Sequence, residues 1–164
     1  MVHTITMESP VGELRLVAGE SGLRAILWGV EDIARIASID GEDLVEGSTP
    51  ILDMAVVQLE EYFAGTRREF DLPLDPVGTP FQQSAWTVLR TIPYGQTISY
   101  GQQAQQLGDP NKARAVGAAN GKNPLSIVVP CHRVIGSGGQ LTGFAGGLEV
   151  KSWLLDHESQ LRLL

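Results

Sequence analysis

Apolar and polar residues alternate in part along three short runs at the start of the chain, Val2 to Ser9, Val11 to Ala18 and Leu23 to Trp28. Period-two alternation is the mark of a half-buried strand, and the breaks at Ser9-Pro10 and Gly19 to Gly22 suit turns, so the pattern predicts an antiparallel meander. An acidic, turn-rich stretch follows from Glu31 to Gly47. The pattern then changes period. From Thr49-Pro50 the apolar residues Leu52, Val56, Leu59 and Phe63 recur at helical spacing up to Gly65, which predicts a helix with a capping threonine, a proline in its first turn and a glycine stop. Glu69 to Leu74 is a candidate fourth strand, and the two prolines and glycine of 72–79 mark the boundary between two lobes, 1–78 and 79–164.

The second lobe is mostly helical in pattern. Phe81, Ala85, Val88 and Leu89 share one face of a helix that Ile92-Pro93-Tyr94-Gly95 ends. A second short helix runs from a cap at Ser99 through Leu107, and Gly108-Asp109-Pro110 turns the chain into a third, through Ala119. Two helices joined by so short a turn predict helix-turn-helix geometry. The third is slender, because Ala113, Ala115, Gly117, Ala118 and Ala119 let its axis approach another surface, either a neighbouring helix or a ligand. Arg114 lies off its Ala113, Val116, Gly117 stripe and faces outward. Ile127 to Val129 reads as a buried strand stopped by Pro130. A closing helix from Glu149 to about Leu161 carries Val150, Trp153, Leu154 and Leu161 as its apolar stripe, with His157 near the centre and Glu158 at the flank. The fold class is therefore α+β: a small lobe with an antiparallel sheet, then a mostly helical lobe with a helix-turn-helix element.

Charge alters the picture only when the chain is divided. The net charge is −7, but residues 1–78 carry 15 acids and 5 bases whereas residues 79–164 carry 4 acids and 7 bases. A polyanionic partner would meet the second lobe. The single cysteine excludes an intramolecular disulfide and a Cys-cluster zinc site, and it points to a reducing, cytoplasmic setting. No window approaches the roughly 18 uninterrupted apolar residues of a membrane span, and the amino terminus carries no signal-peptide pattern.

Candidate chemistry gathers around that cysteine. Cys131 follows Pro130, where a rigid backbone can present sulfur into a cavity, although a lone cysteine is ordinarily buried and inert. His132 adjoins it, yet neighbours in an extended chain point to opposite faces, so the pair needs a turn or a bridging water to act together. Arg133 is either a thiolate-stabilising charge or a structural ion-pair partner. Glu158, set at the edge of an apolar stripe, needs a hydrogen-bonding partner, for which His132 is the candidate. Glycine-rich segments at 136–139 and 143–147 lack the lysine and spacing of phosphate loops.

Pro130-Cys-His-Arg-Val134, with Asn123-Pro124 before it and Gly146-Gly147 and Lys151-x-Trp-Leu-Leu-x-His-Glu158 after it, resembles the O6-alkylguanine-DNA alkyltransferase family, the methylated-DNA-protein-cysteine methyltransferases. Ile98-Ser-Tyr100 and Ala113-Arg-Ala-Val-Gly117 fall in the same order and spacing, so the resemblance covers residues 79–158, with the first lobe matching the family's RNase H-like lobe more loosely. The resemblance implies repair of O6-alkylguanine, and of O4-alkylthymine, by irreversible single-turnover transfer of the alkyl group to Cys131. It makes His132 the proton acceptor through a water, Glu158 the group that orients it, and Asn123 a hinge to the recognition helix. It gives Tyr100, Val134, Ala145 and Lys151 to the base, and Arg114, Ala113, Ala115 and Gly117 to the minor groove of double-stranded DNA, with Arg114 filling the gap of a flipped nucleotide. It implies a monomer with no cofactor, no metal and no membrane. Some relatives bind zinc or carry a further cysteine-rich domain, and this sequence has no cysteines for either; Ala145 stands where some relatives have Ser. A non-enzymatic lesion-binding relative is the alternative, and the presence of Cys131 weighs against it.

Overall fold

A computed structural model of the chain describes residues 1–29 and 44–162, with side chains described through Ser159. The chain divides into two compact units, Met1–Val77 and Gly78–Leu164. In the first, β1 (Val2–Met7), β2 (Leu14–Ala18) and β3 (Leu23–Leu27) form the expected meander, with Ile5 opposite Leu16 and Leu16 opposite Ile26. The sheet is not wholly antiparallel. Strand β4 (Leu44–Glu46) adds to the free edge of β1 in parallel, Val2 opposite Leu44, which gives the order β3-β2-β1-β4. Most of the acidic stretch from Glu31 to Gly47 lies outside the described residues.

Helix α1 (Pro50–Ala64) is capped as its sequence predicts: Thr49 accepts from the Leu52 amide, and Gly65 takes the left-handed conformation at φ 85°. Its buried face is Leu52, Ala55, Leu59 and Tyr62 rather than the stripe through Val56 and Phe63, a rotation that puts the tyrosine ring in the core. The expected strand over Glu69 to Leu74 does not form. Only Leu74 makes a bridge, parallel to Leu23, since Pro73 has no N–H to extend a ladder.

In the second unit, α2 (Pro80–Leu89) starts from a reciprocal capping box between Thr79 and Gln82 and buries Ala85, Trp86, Val88 and Leu89. Helix α3 (Tyr100–Gln106) repeats the device with Ser99 and Gln102. Asp109 accepts from the Asn111 amide and opens a short 3-10 turn, Pro110–Lys112, which leads into α4 (Ala113–Gly121); the third helix thus begins three residues later than its sequence suggests. Trp86 Nε1 donates to the Ala119 carbonyl at 2.9 Å and ties α2 to α4. Helix α5 (Leu148–Arg162) closes the chain. Two strands too short to read in sequence, β5 (Ile98–Ser99) and β6 (Val134–Ile135), pair in parallel and bring the start of α3 beside the segment after Cys131. Among the described residues no helix is long and apolar enough to cross a membrane.

The angle between α3 and α4 is held by a buried polar clasp. Gln103, fully buried, donates to Asn120 Oδ1 at 3.0 Å and to the Ala85 carbonyl at 3.1 Å, and Asn120 Nδ2 returns a bond to Gln103 Oε1 at 2.8 Å. A buried amide that loses its partner costs about 1–3 kcal/mol, whereas replacing both members by apolar groups of similar shape is nearly neutral. Gln103→Leu should therefore lower unfolding stability by about that amount in urea titrations, and adding Asn120→Leu should restore most of it. Independent, additive losses in the two variants would show that the amides do not act as a pair.

Candidate functional site

The path to Cys131 is set by a loop that the sequence suggests as a strand. Residues 127–129 are not extended: Ile127 sits at φ 77°, a left-handed conformation costly for a β-branched residue, and the Val129 amide bonds back to the Leu125 carbonyl at 2.8 Å. Asn123 supplies the constraint that holds this turn. Buried, it accepts from the Leu125 amide at 3.0 Å and donates to the Val129 carbonyl at 2.8 Å, while its own amide bonds to the Asn120 carbonyl at the end of α4. One residue thus links the last turn of α4, through its backbone amide, to the residue two before Cys131, through its side chain.

Cys131–Arg133 then form a single 3-10 turn rather than an extended segment. In a turn of three residues adjacent side chains are not forced to opposite faces, and this removes the difficulty of a neighbouring Cys and His. Cys131 is a buried free thiol. His132 is fully buried, and its Nε2 meets Glu158 Oε2 at 2.7 Å. Arg133 takes the other side of the same carboxylate, with Nε donating to Oε1 at 2.8 Å and Nη2 to Oε2 at 3.1 Å; its Nη1 donates to the Ile92 carbonyl at 2.6 Å. Of the two readings of Arg133, the geometry shows the ion pair.

Burial would raise the Glu158 carboxyl, but the hydrogen bond from His132 together with the hydrogen bonds and charge of Arg133 outweighs it and holds the group far below the usual carboxylate range. Glu158 is therefore an acceptor only, so the proton of a neutral His132 resides on Nε2. Nδ1 is left as the basic lone pair, and it has no hydrogen-bond partner among the described residues. Burial lowers the His132 pKa below its ordinary value, against the opposing pull of Glu158, so the ring rests neutral. The site holds a free thiol beside a neutral imidazole whose open nitrogen can take a proton.

The inward face of α5 differs from the apolar stripe of its sequence. Lys151, Leu154 and Glu158 are buried, whereas Val150 and Trp153 are half-buried and His157 stacks on Trp153 at 4.8 Å between ring centroids. The side chain of Leu161 lies outside the described ones. Each buried charge is paired. Lys151 Nζ donates to the Val134 carbonyl at 2.7 Å and to the Thr142 carbonyl at 2.8 Å; desolvation lowers its pKa, and the charge of Cys131 raises it. Tyr100, half-buried at the start of α3, lies with its ring 5.9 Å from Lys151 Nζ. Cys131, His132, Val134, Lys151 and Glu158 are thus brought together, with Tyr100 beside Lys151.

The other residues singled out in sequence lie on loops and on α4. Ala145 is exposed in the turn before α5. Arg114 and Ala115 are exposed on α4, and Ala113 and Gly117 are half-buried. Gly117 faces Tyr100: a Cβ there would lie 3.7 Å from two ring carbons. Thr142 was not legible as a site residue, because nothing in a glycine-rich loop marks one threonine as the partner of a tyrosine 42 positions earlier.

A buried thiol beside an imidazole held by a carboxylate, carried on a unit that also holds a helix-turn-helix, is an arrangement able to support covalent chemistry where such an element docks. Comparison gives that arrangement its family. Residues 80–160 match the 6-O-methylguanine DNA methyltransferase, DNA binding domain, and residues 2–76 match the ribonuclease-like domain of the same family. The chain is 47% identical over 165 residues to the methylated-DNA–protein-cysteine methyltransferase of Shigella flexneri, covering 94% of each. It is 44% identical to that of Methanosarcina acetivorans, over 92% of this chain and 94% of the other. Among solved structures, Mycobacterium tuberculosis OGT in complex with DNA matches with a TM-score of 0.86 at 46% identity, covering 97% of this chain and 94% of that one. The chain belongs to the 6-O-methylguanine DNA methyltransferase family.

Of the three lowered groups, His132 and Glu158 bear on the pH dependence of stability on the acid side. With the folded pKa of His132 below its unfolded value of about 6.5, the unfolded chain binds more protons as pH falls through that range, so stability drops on acidification. Glu158 acts in the same direction lower down, since its contribution is complete above an unfolded pKa of about 4.3 and is lost as pH falls toward the folded one. The urea midpoint should fall between about pH 7 and pH 5, and His132→Gln should flatten that fall. A slope unchanged in His132→Gln would place the titrating group elsewhere.

Proposed function

We propose that this protein removes alkyl groups from O6 of guanine in double-stranded DNA, and from O4 of thymine, by transferring them once and irreversibly to Cys131. The observation that carries the reading is the single 3-10 turn that holds a free thiol next to a neutral imidazole, with that imidazole fixed by a buried carboxylate. The unperturbed thiol has a pKa near 8.5 and displacement at carbon requires the thiolate. Through a water, His132 Nδ1 takes the thiol proton, and Glu158 stabilises the resulting imidazolium. The thiolate then attacks the alkyl carbon, the S–C bond forms as the C–O6 bond breaks, and the electron pair stays with the guanine. Tyr100 donates a hydrogen bond to the leaving base, Lys151 and the backbone of Val134 and Ala145 position it, and no metal or cofactor takes part.

A base inside a duplex is out of reach of a rigid, buried sulfur, so the nucleotide must be flipped. Helix α4 suits the minor groove: Ala115 and Ala118 are exposed and small, and Arg114 is exposed beside them and long enough to fill the vacated stack. Asn123 connects that helix to the loop before Cys131 and acts as the hinge between binding and chemistry. The protein works as a monomer, and its free thiol suits the reducing cytoplasm. The unit Met1–Val77 is the ribonuclease-like lobe and Gly78–Leu164 carries the activity.

A thioether is not cleaved by water, which makes the protein a reagent that acts once. Mixed with excess duplex containing O6-methylguanine, the intact protein should gain the mass of one methyl group in place of one hydrogen, located by peptide mapping at Cys131. Cys131→Ser should still bind the lesion and transfer nothing, because the hydroxyl is a far weaker nucleophile at neutral pH. Repeated turnover by one molecule would overturn the reading.

A further inference from the structure

Tyr100 is held by more than its own helix. Thr142 Oγ1 donates to the Tyr100 hydroxyl at 2.8 Å. Thr142 is itself fixed from behind, because its carbonyl accepts from Lys151 Nζ at 2.8 Å, and the same ammonium is anchored on the Val134 carbonyl at 2.7 Å. A continuous line of hydrogen bonds therefore runs from the segment just after Cys131, through a buried lysine on α5, through the backbone and hydroxyl of Thr142, to the tyrosine on α3. Gly117 borders the ring on another side, at a distance where a Cβ would make ordinary contact.

The direction of the last bond matters for chemistry. A phenol carries one proton and two lone pairs. Either hydroxyl of the pair can supply the proton between them, so when the phenolic proton goes to another acceptor Thr142 donates to a phenolic lone pair, and the swing about the C–O bond is biased away from the threonine. Accepting a hydrogen bond also polarises the phenol and makes it a better donor. An exposed threonine in a glycine-rich loop would ordinarily be spent on solvent, so a side chain held at both its backbone and its hydroxyl is arranged for the group it touches.

We propose that Thr142 is a positioning residue for the transfer reaction: its hydroxyl, braced by Lys151, occupies the acceptor side of Tyr100 and aims the phenolic proton at the leaving base. The proposal rests on the reading of Tyr100 as the donor to that base, and it concerns the rate of transfer rather than the affinity for DNA.

Thr142→Val keeps the branched shape and removes the donor, and at an exposed position it should fold normally. Single-turnover transfer from duplex containing O6-methylguanine, measured over a range of DNA concentrations, separates the limiting rate from the half-saturating concentration. Thr142→Val should lower the limiting rate by roughly 3- to 10-fold, as expected for loss of one neutral hydrogen bond, and leave half-saturation unchanged. Thr142→Ser should restore the rate. In a Tyr100→Phe background the same valine substitution should have no further effect, since the phenolic oxygen it acts through is gone. A wild-type rate in Thr142→Val, or an equal loss in both backgrounds, would overturn the proposal while a slow Tyr100→Phe left the role of the tyrosine standing. A Tyr100→Phe protein as fast as wild type would instead overturn the role of the tyrosine, and the proposal with it.

Discussion

One carboxylate organises the second unit. Glu158 is fully buried on α5, and its two oxygens meet His132 and Arg133 of the 3-10 turn at 2.7 to 3.1 Å. An ionised carboxylate taken from water without partners costs several kcal/mol even after relaxation, and three short charge-assisted bonds are what make this one tolerable. Removing a single partner from such a cluster costs about 3–5 kcal/mol, because a charge is left buried and uncompensated. The conformation of Cys131–Arg133 and the rotation of α5 are therefore two sides of the same contact. Neither element can move without exposing that cost.

Chemistry follows from how the carboxylate is shared. Arg133 neutralises part of the negative charge that would otherwise draw a proton onto His132, and desolvation lowers the imidazole further, so the ring waits in its neutral form with Nδ1 free. Lys151, the second buried cation, lies close enough to Cys131 that a thiolate there raises its pKa, and by reciprocity the ammonium favours the thiolate. The site thus resists charging at rest and favours the separated thiolate and imidazolium once the proton moves.

Legibility in the sequence followed whether a signal was local. The caps at Thr49, Ser99 and Asp109, the glycine stop at Gly65 and the helix-turn-helix punctuation are each decided by neighbouring residues; α1 and α3 form where those residues place them, and α4 begins three residues further on, after a 3-10 turn. The residues around Cys131 were legible as a motif, and the structure gathers Cys131, His132 and Glu158. The turn at 127–129 was not, because Ile, Val and Val favour extended backbone, and the side-chain bonds of Asn123 to Leu125 and Val129, which no hydrophobic pattern reveals, hold the turn in which Ile127 takes a positive φ. The face of α5 misled for a related reason: periodicity sorts by hydrophobicity, and Lys151 and Glu158 are buried by partners that lie 9 to 26 positions away. Strands β5 and β6, two residues each, are too short to show any period.

The central claim is that the Glu158 carboxylate assists loss of the Cys131 proton by stabilising the imidazolium of His132. Measuring the transfer rate against pH for Glu158→Gln tests it most directly, with affinity for lesion-containing duplex measured alongside to show that the fold is kept. Without the charge, the imidazolium is disfavoured and the thiol surrenders its proton only to hydroxide. The half-maximal pH should then move upward and the rate at neutral pH should fall by about tenfold or more, with DNA affinity unchanged. A pH profile that superimposes on that of the wild type would contradict the account and leave Glu158 a purely structural charge.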